Sequence, residues 1–129
     1  MSSQMGKKLL MIDDDAGIAR VVGLIARQLG MEFQTITNPL IANEVFAAYR
    51  PDIVIVDMIM AEKDGIEVLS EILATGIPTK VVLTSGFGDA YMRLGLSLAK
   101  FHGTEGVSLL KKPFRRAELI ELLNTIAGE

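Results

Sequence analysis

"DIVIVD" (52–57) sets four β-branched apolar residues, Ile53 to Val56, between two aspartates. A strand with one face in water alternates apolar and polar residues, and this run has no polar face to offer. Read as a strand, it is buried on both sides, as in a parallel sheet covered by helices above and below. The run is too short for a buried helix, and its β-branched content favours a strand. "KVVLTS" (80–85) has the same character. "KLLMI" (8–12), "FQTIT" (33–37) and "GVSLL" (106–110) complete five β-rich runs.

Helical patterns fill the intervals. Ile18, Val21, Val22, Ile25 and Leu29 recur at helical spacing and are expected to face inward. "NPLIANEVFAAYR" (38–50) opens on Asn38 as an N-cap with Pro39 in the first turn, and places Ile41, Val45 and Ala48 inward. "DGIEVLSEILATG" (64–76) offers Ile66, Leu69, Ile72 and Leu73, and stops at Gly76 ahead of Pro78. "DAYMRLGLSLAKFHG" (89–103) carries Leu94, Leu98 and Phe101 on one stripe. "RRAELIELLNTIAG" (115–128) carries Leu119, Leu122, Leu123 and Ile126. Strand and helix alternate five times. That predicts an α/β fold, a doubly wound five-stranded parallel sheet with right-handed crossovers. The units occupy residues 7–127, so one domain spanning 1–129 is expected, with 1–6 a flexible N-terminus.

Half of the residues are hydrophobic and 22% are charged, the balance of a globular domain. A net charge of −3 argues against direct nucleic-acid binding through bulk positive charge. The absence of cysteine excludes disulfides and thiolate metal sites. The apolar run Leu9 to Ile12 is too short for a signal peptide or a membrane span, so a cytoplasmic protein without membrane contact is expected.

In an open α/β sheet, chemistry gathers at the carboxyl ends of the strands. The first strand delivers Asp13, Asp14 and Asp15 there, and the third delivers Asp57. The fourth delivers Thr84 and Ser85, the fifth Lys111 and Lys112, and the second only Thr37 and Asn38. Carboxylates sharing a pocket need a counter-charge. A hard divalent cation such as Mg²⁺ takes oxygen ligands of this kind, commonly one or two carboxylates with a phosphate oxygen. A carboxylate can also be a nucleophile toward phosphorus, with a lysine and a hydroxyl binding the transferred oxygens.

"LLMIDDD" (9–15), "DIVIVDMIMAEKDG" (52–65), "VVLTSG" (81–86) and "LLKKPF" (109–114), in that order at four strand ends, resemble the receiver domain of two-component response regulators. The resemblance covers nearly the whole chain and, with no output domain, resembles a single-domain regulator. It implies a flavodoxin-like strand order 2-1-3-4-5 and a phosphorylation-controlled switch. Asp57 matches the phosphoacceptor, loaded by a partner histidine kinase or phosphotransfer protein. Asp13 and Asp14 match the acidic pair that holds Mg²⁺ together with Asp57, Asp14 being the more direct ligand, and the backbone carbonyl of Ile59 matches a further ligand. Ser85 matches the switch hydroxyl and Lys112 the lysine that pairs with the phosphoryl oxygens. Lys112–Pro113 matches a peptide bond that is usually cis, which a bond before proline tolerates. Asp64–Gly65 matches the turn before the third helix. The face of helix 4, strand 5 and helix 5 is implied as the surface that meets a downstream protein. The chain is then a regulator that assists only its own phosphorylation and dephosphorylation, not an enzyme with an external substrate.

Four departures accompany the resemblance. A proline common after the third strand is Ala61 here, so a looser loop is expected. The aromatic switch position on the fifth strand is Leu109, which puts the usual coupling in question. Phe87 places a ring near the pocket mouth; with Ile59 it predicts slow loss of the phosphoryl group to water. The stretch from Ser85 to Lys112 is longer than is common.

Several residues carry simpler readings. Asp15 is an N-cap by preference. Thr84 competes with Ser85, but alternate strand residues point to opposite faces and Ser85 stands last before Gly86. Lys111 reads as a solvated lysine, His102 as a surface residue, and the seven Met as gap-fillers. A phosphorylation-independent docking module is the alternative function. A small phosphatase of the haloacid-dehalogenase type, with Asp13 and Asp15 as "DxD", is the enzymatic one.

Overall fold

The computed structural model describes residues 5–86, 89–104 and 106–127. Its strands are β1 (Lys8–Ile12), β2 (Glu32–Ile36), β3 (Ile53–Asp57), β4 (Lys80–Ser85) and β5 (Ser108–Lys111). Its helices are α1 (Ala16–Gln28), α2 (Ala42–Tyr49), α3 (Gly65–Ala74), α4 (Asp89–Phe101) and α5 (Arg116–Ala127). All strand pairs are parallel, in the order β2-β1-β3-β4-β5. Among the described residues, no helix is long and apolar enough to cross a membrane.

Every residue of β3 is buried, as its unbroken apolar run requires. Leu9, Met11, Ile53, Ile55, Val82 and Leu110 pack with α1 and α5. Leu10, Ile12, Val54, Val56 and Leu83 pack on the other side with α2, α3 and α4. Strand alternation thus splits the core into two layers. Phe46 of α2 and Leu69 of α3 anchor one layer, and Val22 of α1 with Leu119 and Leu123 of α5 anchor the other.

Asn38 caps a short 3-10 turn, Pro39–Ile41, rather than α2 itself, and its side chain accepts from Leu40 N–H. Residues 5 and 6 form a turn tied down by a hydrogen bond from Gly6 N–H to Gly30 O (2.9 Å), and residues 1–4 lie outside the described set.

The inward faces of α3 and α5 follow the apolar periodicity, but three other helices correct it. In α1, Val21 is exposed, while Ala19 and Ala26 join Val22 and Ile25 inside. In the second helical segment Ile41 and Ala48 face solvent, and Ala42 and Phe46 are buried. In α4 the buried residues include Met92, Gly95 and Ala99, whereas Leu94 and Phe101 point outward, Phe101 at 85% exposure. Gly95 is the cause. A Cβ there would come within 2.7 Å of Leu83 Cδ1, so the helix backbone lies too close to β4 for a large side chain between them.

Candidate functional site

Register builds the site. Ile12 pairs with Val56, so the next residues, Asp13 and Asp57, leave β1 and β3 side by side. Ser85 pairs with Lys111, so Lys112 follows at the same end of β5. Asp13, Asp57 and Lys112 continue the alternation of Met11, Ile55 and Leu110, which places all three toward the α1 and α5 layer.

Lys112 Nζ donates to Asp13 Oδ2 at 2.7 Å and to Asp57 Oδ2 at 3.2 Å. Asp13 is fully buried and its other oxygen accepts from Asp15 N–H at 2.9 Å. Asp57 is 5% exposed, and its Oδ1 accepts from Ile59 N–H at 3.2 Å. Asp14 is exposed, and its Oδ2 accepts from Ala61 N–H at 2.9 Å. One oxygen from each of Asp13, Asp14 and Asp57 lies within 4.8 Å of the others. Three carboxylates therefore face one ammonium, an excess of two negative charges when all are ionised.

Electrostatics follow the crowding. Burial first, and then the charge of Asp13, push the Asp57 carboxyl up to about 6, against the opposing pull of Ile59 N–H and Lys112. Burial disfavours the Lys112 charge, but the hydrogen bond and charge of Asp13, with those of Asp57, outweigh it and hold its pKa above the ordinary lysine value.

The Asp15 side chain stands apart from this group. Its side chain accepts from Gly17 N–H (2.9 Å) and Ile18 N–H (3.2 Å), the N-cap of α1. The "DxD" of Asp13 and Asp15 is thus one buried acid paired with lysine and one helix cap.

The response regulator receiver domain profile matches residues 9–124. The chain belongs to that family. A receiver is a phosphorylation-dependent signalling switch. Among relatives, this receiver is 30% identical over 124 residues to the chemotaxis protein CheY of Thermotoga maritima, covering 95% of this chain and 99% of that protein. It is 29% identical over 109 residues to a protein-glutamate methylesterase/protein-glutamine glutaminase of Anaeromyxobacter dehalogenans, covering 84% of this chain but only 30% of that protein. Its structure superposes on the receiver domain of the Francisella response regulator 1452 with a TM-score of 0.79 and 25% identity, over 95% of this chain and 98% of that one.

Both hydroxyl candidates of the receiver are buried. Thr84 lies opposite Asp57 in the register, and its Oγ1 has no hydrogen-bond partner among the described residues. Ser85 ends β4, and its carbonyl accepts from Lys112 N–H at 3.0 Å. The Lys112–Pro113 peptide is cis. Asp64 caps α3 by accepting from Glu67 N–H at 3.0 Å, and Gly65 N–H donates to Met58 O at 3.1 Å. Leu109 is 45% exposed, and Lys111 is exposed as expected. His102 lines a cleft with Lys7, Asp52 and Lys80 at the amino-terminal edge of the sheet, the end opposite the acids. Phe87 lies outside the described residues.

Two features escaped the sequence reading. The unpartnered Thr84 hydroxyl was visible only as a competing residue type. The Ala61 amide had one signal: a residue other than proline keeps its N–H. The loop expected to be looser is instead fastened to Asp14 at Ala61.

Proposed function

We propose that Asp57 is the phosphoacceptor of this switch, with Lys112 and Ser85 as the groups that answer its modification. The observation that carries this reading is the Lys112 ammonium shared between Asp13 and Asp57, with Asp14 alongside, at the carboxyl edge of the sheet. A carboxyl group near pKa 6 is ionised at pH 7 yet more basic than a surface aspartate, which suits a nucleophile. In the transfer, a bond forms between an Asp57 carboxylate oxygen and phosphorus as the donor's phosphorus–nitrogen bond breaks, leaving that electron pair on the donor imidazole. Lys112, already beside Asp57, moves onto a phosphoryl oxygen, and the Ser85 hydroxyl closes on another.

The donor set fits Mg²⁺: oxygen ligands only, close together, with negative charge in excess of the one lysine. Asp13, Asp14, Asp57 and the Ile59 carbonyl would hold it. When bound, it supplies charge neutralisation for the oxygens around phosphorus. A cleft of about 580 Å3, lined by Asp15, Ile18, Val21, Lys112, Pro113 and Phe114 among others, opens beside the site and suits the approach of a histidine kinase or phosphotransfer protein. The face of α4, β5 and α5 would then carry the signal to a downstream protein, in a regulator without an external substrate. Leu109, on that face and 45% exposed, favours weighing a second reading, a phosphorylation-independent docking module.

The test is incubation with a small phosphodonor and Mg²⁺, followed by intact-mass measurement. One phosphoryl group per chain is expected in the wild type and none in Asp57→Asn. Labelling that persists in Asp57→Asn refutes the assignment. Partner affinity unchanged by beryllofluoride would favour docking alone.

A further inference from the structure

We infer that the main-chain N–H of Ala61 is a positioning group for cation binding, a clasp that joins the loop after β1 to the loop after β3. The inference rests on the proposed reading of Asp13, Asp14 and Asp57 as cation ligands. Of the three carboxylates, Asp13 and Asp57 are buried and share Lys112. Asp14 is exposed, and an exposed aspartate turns freely into water unless something holds it. The holding bond comes from Ala61 N–H, 47 residues further along the chain, to Asp14 Oδ2 at 2.9 Å.

The same loop makes the matching contact two residues earlier, where Ile59 N–H reaches Asp57 Oδ1 at 3.2 Å. Alternate amides of one short segment thus hold two of the three carboxylates. The Ile59 carbonyl, the proposed fourth ligand, belongs to this segment, so the Ala61 bond constrains Asp14 and the loop bearing that carbonyl together. The three carboxylate oxygens lie within 4.8 Å of one another with the clasp made, so clasping and gathering are compatible. A carboxylate has two oxygens, one free for a cation while the other keeps its N–H partner. Hydrogen bonds to ligating groups set metal affinity in this way, typically by ten- to a hundred-fold. The Ala61 methyl has no part in it, because the donor is backbone; only proline lacks it.

The experiment measures Mn²⁺ and Mg²⁺ affinity of the full chain, by electron paramagnetic resonance of free Mn²⁺ and by competition, in wild type, Ala61→Gly, Ala61→Pro and Asp14→Ala. Ala61→Gly keeps the N–H and is expected within about two-fold of wild type; Ala61→Pro is expected to bind about ten-fold more weakly. A urea midpoint near the wild-type value shows that Ala61→Pro is folded. A folded Ala61→Pro that binds as tightly as wild type, or more tightly, overturns the clasp. Amide exchange of Ala61 in the wild type tests it without any variant. Protection is expected to hold or rise when Mg²⁺ is added; its loss would mean that the cation displaces the N–H, and would overturn the inference. Asp14→Ala separates the two levels. If it binds like wild type, the reading of the site itself fails. If it binds weakly while Ala61→Pro does not, only the clasp fails.

Discussion

Replacing Asp57 by Asn is expected to make the cation-free fold more stable at neutral pH, although it deletes an ion pair with Lys112. The Asp57 carboxyl sits at about 6 in the fold against 3.8 for the free side chain. A raised folded value means that the unfolded chain releases this proton first. Below about pH 4 both states are protonated and nothing is lost. As pH climbs from about 4 to about 6, the unfolded state ionises while the fold still holds its proton, so stability falls through that window. Above it, the full cost of burying the charge beside Asp13 applies. A shift of roughly two units corresponds to about 3 kcal/mol. The side chain is 7% exposed at a pocket mouth where water screens charge, so we take about 2 kcal/mol as the expected cost.

Asn keeps the shape of the protonated acid and can accept from Ile59 N–H, but carries no charge. Urea unfolding in chelator should therefore place Asp57→Asn about 2 kcal/mol above wild type at pH 7.5 and close the gap near pH 4. Adding Mg²⁺ should narrow the gap from the other side, because a ligand at ten times its Kd stabilises the fold that binds it by about 1.4 kcal/mol. A gap of equal size at pH 4 and 7.5 would refute the reasoning. So would a wild type more stable than Asp57→Asn at pH 7.5 in chelator, which would mean that Lys112 already compensates the buried charge.

Two further substitutions probe the frame of the site. Gly65→Ala would set a Cβ 2.2 Å from the Asp57 carbonyl oxygen and 2.5 Å from Met58 Cα, backbone that cannot step aside, so a loss of at least about 2 kcal/mol is expected in a thermal or urea melt. Thr84→Val replaces a buried hydroxyl that has no partner among the described residues by a methyl of similar size, and a gain of about 1 kcal/mol is expected; a loss would show that the hydroxyl is satisfied in solution.

The fold was legible because β3 and β4 have no polar face, and a two-sided strand leaves one arrangement open to a chain of alternating strands and helices. The buried acids and Lys112 were legible because residue type and strand-end position coincide. Helix orientation was less so. Apolar periodicity favours large side chains as the inward face, whereas α4 meets the sheet through Gly95 and Ala99 and leaves Leu94 and Phe101 outside. Close approach of two backbones is a property of the pair, and glycine in a helical stretch reads in sequence as a weakness rather than a contact. The Ala61 contact was legible only as an N–H that proline would lack; a main-chain N–H is common to every other residue, so only the fold says where it points.

The two bonds of Lys112 explain why the acids are not interchangeable. It lies 2.7 Å from Asp13 and 3.2 Å from Asp57, and Asp13 is the more deeply buried partner. Asp13 Oδ1 also accepts from Asp15 N–H, and Asp15 in turn caps α1. Neutralising Asp57 removes a repulsion and leaves the shorter ion pair in place. Neutralising Asp13 would leave the ammonium with its longer contact alone and weaken the acceptor for Asp15 N–H at the start of a helix. Asp57, the proposed acceptor, is thus an acid whose charge the fold holds at a cost, and a change of charge there acts directly on Lys112. On the proposed reading, modification at Asp57 would draw Lys112 toward the phosphoryl group and leave Asp13, with its link to α1 through Asp15, as the fixed side of the pocket.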